Sequence, residues 1–139
     1  MWLFTKDYFC SVVEHIDNSE HVLVRFRSRV HAEAFCTKYK VKLSHIAENK
    51  GTDYQFRLRL LKTDFAGVAL QEARNIDYPN FKNVVMGKRV SEDKYNNNEI
   101  DALMDVWAAM RRYQDREAIP QAYADDLAEY RRAYSNEKG

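Results

Sequence analysis

Hydrophobic and polar residues alternate with two different periods along this chain, and each change of period marks an element. Residues 1–5 and 8–16 are short runs rich in β-branched and aromatic side chains, separated by Lys6 and Asp7, and read as two strands. Asp17-Asn18-Ser19 marks a turn, because short polar side chains bond their own backbone there. Residues 22–28 alternate, with Val22, Val24 and Phe26 on one face and Leu23, Arg25 and Arg27 on the other. Ser28 is placed to cap a helix in which Ala32, Phe35, Cys36 and Tyr39 recur at helical spacing. Residues 41–48 form a weaker strand, and Asn49-Lys50-Gly51-Thr52 a hairpin turn in which Gly51 can take positive φ.

The clearest strand spans 54–62, where Tyr54, Phe56, Leu58 and Leu60 oppose Gln55, Arg57, Arg59 and Leu61. Thr63 then caps a helix with Phe65, Val68, Ala69, Ala73 and Ile76 toward the core, and Asp77-Tyr78-Pro79-Asn80 ends it. Pro79 suits the first turn of a short helix reaching Val85. Residues 87–98, GKRVSEDKYNNN, carry charge and asparagine with little apolar content and read as a linker. Beyond them Ile100, Leu103, Met104, Trp107, Met110 and Tyr113 fit an amphipathic helix from about residue 98 to 114. A final helix after Pro120 shows Tyr123, Leu127, Tyr130 and Tyr134 on one side. This order predicts an α+β fold: an antiparallel sheet with helices on one face, ferredoxin-like by preference, with a C-terminal helical extension. Three segments follow: an α+β sandwich at 1–86, a linker at 87–98 and C-terminal helices at 99–139.

Composition narrows the function classes. With 139 residues and 45% hydrophobic content the chain is long enough for one domain with a core. Four scattered glycines and two prolines exclude collagen-like and proline-rich architectures and a glycine-clustered phosphate loop. The opening MWLFTKDYFC reaches charge too early for a signal-peptide core or a membrane span, so the protein is expected in the cytoplasm, away from membranes. Cys10 and Cys36 lack CxxC spacing and read as reduced core thiols.

The net charge of +1 conceals a strong asymmetry. Residues 22–62 carry ten lysines and arginines against three acids, a net of +7, whereas 1–21 and 98–139 each carry −3. If the strands holding Arg25, Arg27, Arg57 and Arg59 are neighbours, the four guanidiniums line one sheet face, suited to phosphates or to an acidic protein surface. Two other arrangements compete: pairing with the acidic C-terminal helices, and plain solvation. Periodicity assigns few aromatics to that face, which weakens single-strand base readout.

Catalytic chemistry is thinly represented. His15, His21, His31 and His45 have no HxH or HExxH spacing, so no metal is expected, and no nucleophile elbow, Walker loop or cysteine–histidine signature occurs. No cofactor is implied. Asp101 and Asp105, one helical turn apart, could hold a hydrated cation but are explained as a solvated acidic face.

Trp2-Leu3-Phe4-Thr5, residues 9–13, Asp53-Tyr54, residues 77–82 (DYPNFK) and Trp107 with Met110 together resemble a family of small uncharacterised bacterial and phage proteins. Its pattern runs W-x-F-T-x-x-G-F-x-S-V-V, D-Y, D-Y-x-N-F-K and V-W-x-x-M. Tyr8 stands here where that pattern has glycine. The resemblance covers about residues 1–114 and implies no activity. The first functional expectation is a non-catalytic binding module of phage or mobile-element type, such as a counter-defence inhibitor resembling anti-CRISPR proteins. It would engage nucleic acid, a nucleoprotein or an acidic protein surface through Arg25, Arg27, Arg57, Arg59 and Lys82. The alternatives are a homodimer formed through Trp107, Tyr123, Leu127, Tyr130 and Tyr134, and a small phosphodiester-processing enzyme.

Overall fold

The computed structural model describes residues 1–89 and 94–116. It divides into two compact units, Met1–Phe81 and Lys82–Gly139. In the first, β1 (Trp2–Phe4), β2 (Phe9–His15) and β3 (Asn18–Phe26) form a meander, followed by α1 (Arg29–Tyr39). In place of the strand expected over 41–48, a 3₁₀ turn at Leu43–His45 leads to a two-residue β4 (Ala47–Glu48), followed by β5 (Phe56–Leu61) and α2 (Lys62–Arg74). The five strands pair antiparallel in the order β1-β2-β3-β5-β4.

The core lies on one face of this sheet. Cys10 and Val12 of β2, Val22, Val24 and Phe26 of β3, and Phe56 and Leu58 of β5 meet Ala32, Phe35 and Cys36 of α1 and Phe65 and Val68 of α2. Tyr8, Phe26 and Phe35 meet edge to face with ring centroids 5.3–6.4 Å apart, a geometry worth about 0.5–1.5 kcal/mol per pair beyond burial. Both thiols are free and buried, and burial pushes that of Cys10 up to about 12. They pack as small hydrophobes.

The expected α+β class is present, with both helices on one face. The ferredoxin-like chain order is not. β3, α1, β4 and β5 make a split β-α-β unit with β5 inserted between β3 and β4, as that fold requires. The position on the other side of β3 is filled from upstream by β2, because α2 is followed by helix rather than by a strand.

Local chemistry differs from expectation at several turns. Gly51 does not take positive φ; Asn49 Oδ1 accepts from Gly51 N at 3.1 Å, and Thr52 Oγ1 donates to Asn49 O and Tyr54 O. The left-handed residue is Lys40, φ 57°, which ends α1 and donates its N–H to Cys36 O. Neither Ser28 nor Thr63 makes a side-chain cap: α2 starts at Lys62 with Leu61 as its N-cap. The β1–β2 turn needs no glycine. Thr5 Oγ1 accepts from Asp7 N and Tyr8 N and donates to Tyr8 O, all within 3.1 Å, which leaves the Tyr8 ring free to enter the core.

The second unit contains most of α3 (Phe81–Gly87) and α4 (Lys94–Arg116). α4 begins four residues before the expected position, so 94–98 is helix and not linker, and the boundary between units falls at residue 81 rather than 86. Val85 and Ile100 are buried, and Arg89 pairs with Asp101. Tyr123, Leu127, Tyr130 and Tyr134 lie outside the described residues.

Candidate functional site

The face of the sheet opposite the core gathers most of the singled-out arginines. Register pairs Arg25 of β3 directly with Arg57 of β5, and Leu23 with Arg59. Cβ atoms of directly opposed residues are about 4.5–5.5 Å apart, and like charges in such a pair repel. Continuing across the sheet, Arg25 faces Ser11 of β2, and Ser11 faces Trp2 of β1. One row therefore reads Trp2, Ser11, Arg25, Arg57, Ala47. Val13, Leu23 and Arg59 form the next row, and Phe4 pairs with Phe9 on the other side. No acid stands in these rows, and no acid among the described residues pairs with Arg25, Arg57 or Arg59.

The arginines are held in place. Arg25 donates through Nη2 to Ser11 Oγ at 2.7 Å, and Arg57 donates through Nε to Tyr54 O at 3.2 Å. The guanidiniums of Arg25 and Arg27 lie 4.6 and 4.3 Å from the centroid of the Tyr54 ring. Tyr54, although buried, does not join the sheet–helix core cluster, where strand period two placed it. It precedes β5, escapes the alternation, and its buried ring meets two cations. Arg27 sits at the rim, with its Nη1 donating to Asp53 O at 3.0 Å and the Asp53 carboxylate 4.0 Å away. Arg59 is exposed.

Three aromatic residues flank the arginine rows. Trp2 stands edge-on to Phe4 and Phe9, at 6.3 and 5.8 Å between centroids, and Phe4 and Phe9 stack at 4.4 Å. Trp2 is 62% exposed. Sequence periodicity missed this group because it was sought on the arginine strands themselves; the aromatics arrive from the neighbouring β1 and β2. The available signal was the alternation of Trp2 with Phe4 beside an odd-numbered face beginning at Phe9.

Lys82 and Trp107 belong elsewhere. They meet in the second unit, with the Lys82 ammonium 4.1 Å from the Trp107 ring centroid. Trp107, Met110 and Tyr113 are 43%, 61% and 57% exposed on α4.

A partly buried polar cluster forms a different group. Glu72 Oε1 accepts from Tyr8 and Tyr39 and lies 2.8 Å from Lys38 Nζ, which also reaches Asp7 at 2.9 Å. Burial would raise the Glu72 carboxyl, but Lys38, Tyr39 and Tyr8 outweigh it and hold it below its ordinary value. Burial and the hydrogen bond to Glu72 push Tyr39 up to about 12. An ionised carboxylate, a protonated lysine and two neutral phenols satisfy one another. Glu72 borders a cleft of about 190 Å³ whose other walls, including Leu3, Phe4 and Ala69, bring no second charged group. This cluster ties α1 and α2 to the start of β2 and has no general base to spare.

Among the described residues no helix is long and apolar enough to cross a membrane. Comparison with protein families, with curated proteins and with solved structures found no match.

Proposed function

We propose that this protein is a non-catalytic nucleic-acid-binding module whose open sheet face receives phosphates on Arg25, Arg57 and Arg59. The observation that carries this reading is the Arg25–Arg57 pair. Two guanidiniums face each other in register, on a face without acids, where the fold alone would favour opposite charge. A bound phosphate relieves that repulsion and accepts the forked hydrogen bonds that guanidinium geometry offers. Arg27 contributes less, because Asp53 already engages it. A counter-defence role, with the nucleic acid held in a nucleoprotein, is one setting in which such a module would act.

The test is titration of the full chain with labelled oligonucleotides at several salt concentrations. Three phosphate contacts give a log–log slope of about −2 on a single strand, so affinity falls about twenty-fold between about 50 and about 200 mM salt. Arg57→Glu separates function from fold. It replaces a like-charge pair by an opposite-charge pair, so the variant is expected to be at least as stable as the parent while binding is lost. Failure to bind at low salt, or undiminished binding by Arg57→Glu and Arg59→Gln, would overturn the reading. Displacement of the oligonucleotide by polyglutamate at equal charge concentration would assign the face to an acidic protein instead.

A further inference from the structure

We infer that the nucleic acid is single-stranded, with an unstacked base placed on Trp2 while its backbone runs over Arg25 and Arg57; this rests on the arginine-face reading above. Phosphate contacts position a strand of any form, so the choice of form must come from other groups on the face. Here those groups are Trp2, Phe4 and Phe9. Trp2 and Arg25 share a row with Ser11 between them, two strand spacings or about 10 Å apart.

Trp2 is 62% exposed on a three-residue strand although it is the largest apolar side chain of the first unit. Phe9 and Phe4 lie beside it with centroids at 5.8 and 6.3 Å and planes inclined at 84° and 77°. The indole is thus roughly perpendicular to both phenylalanine rings. Its faces are not stacked on either phenylalanine, and a face is what a nucleobase requires. Bases locked inside a duplex cannot present their faces to a side chain, whereas every unpaired base can, irrespective of its identity. Ser11, between the tryptophan and the guanidiniums, is 1% exposed and its hydroxyl is already engaged by Arg25. The combination of a cationic track with an adjacent stacking surface is the pattern that fits single strands.

The experiment uses the full chain carrying Trp107→Phe, which leaves Trp2 as the single tryptophan. The probes are a short oligothymidylate and a mixed-sequence duplex of equal length. The expected result is tighter binding of the single strand, with quenching of Trp2 fluorescence. Trp2→Ala, introduced in the parent chain, should weaken single-strand binding by about five- to one-hundred-fold and leave duplex binding nearly unchanged. Trp2→Phe should recover most of the loss. Equal binding of both probes without quenching, and without effect of Trp2→Ala, would overturn the stacking inference while the arginine reading stood. Failure of both probes to bind at low salt would overturn the two together.

Discussion

Glu72 links ionisation to stability more directly than any other residue of the first unit. Its carboxyl is held below its ordinary value of 4.5 in the folded chain, where Lys38, Tyr39 and Tyr8 engage it. A depressed folded value means that the ionised form is preferentially bound by the fold. The resulting stability is fully present above the unfolded value, near 4.5, and is lost as pH falls through the lower folded value. Glu72→Gln should therefore cost about 1.5–3 kcal/mol at neutral pH, the range for a hydrogen bond to a charged group. The gap between parent and variant should close as the pH is lowered below the ordinary carboxylate range. Urea unfolding midpoints measured across that interval check both the size and the direction. A gap independent of pH would show that packing, not charge, holds Glu72 in place.

Among the elements, α1 contains an avoidable cost. Its last turn closes on Lys40 at φ 57° and ψ 34°, the left-handed conformation, which a residue with a Cβ adopts at a cost of about 1–2 kcal/mol. Glycine is the usual residue there. Lys40→Gly is expected to raise the unfolding free energy by up to about 1 kcal/mol, after part of the gain is offset by the greater freedom of glycine in the unfolded chain. Chemical denaturation with an unchanged m-value would confirm it. The Tyr8–Tyr39–Glu72 contact lies one residue upstream of Lys40, so the turn also fixes where α1 delivers its phenol. In β5, by contrast, the alternation of Phe56, Leu58 and Leu60 with Arg57, Arg59 and Leu61 was legible from residue order alone and is what the register displays. Tyr54 broke the rule because it stands before the strand starts, where no ladder imposes the pleat.

At the scale of the whole molecule, the first unit owns its core. The residues that pack together run from Tyr8 to Val68. A chain ending at Phe81 is therefore expected to keep its strand-rich circular dichroism, its cooperative unfolding and its oligonucleotide binding. Loss of all three on truncation would show that residues 82–139 complete the fold. The second unit retains an apolar stripe on α4, where Trp107, Met110 and Tyr113 are exposed. Basic charge is likewise distributed by unit. Arg25, Arg57 and Arg59 belong to the first, whereas Lys82 serves the Trp107 ring in the second.

Residue order by itself determined the alternation in β3 and β5, the buried face of α1, the inward Phe65 and Val68 of α2 and the excess of positive charge at 22–62, whereas Ala73 and Ile76 of the expected α2 face are exposed. Those properties depend on side chains a few positions apart, which backbone geometry brings to one face whatever the rest of the chain does. Only the tertiary structure decided which strands are neighbours. That decision placed Arg25 opposite Arg57, gave Arg25 a partner in Ser11, and brought Trp2 and Phe9 to the edge of the same surface. It also turned Glu72 inward to meet residues 64 and 33 positions away. Such contacts follow from the order of strands in the sheet, a long-range property that no local spacing encodes. The aromatic margin of the arginine face exists because β1 and β2 fold back beside β3.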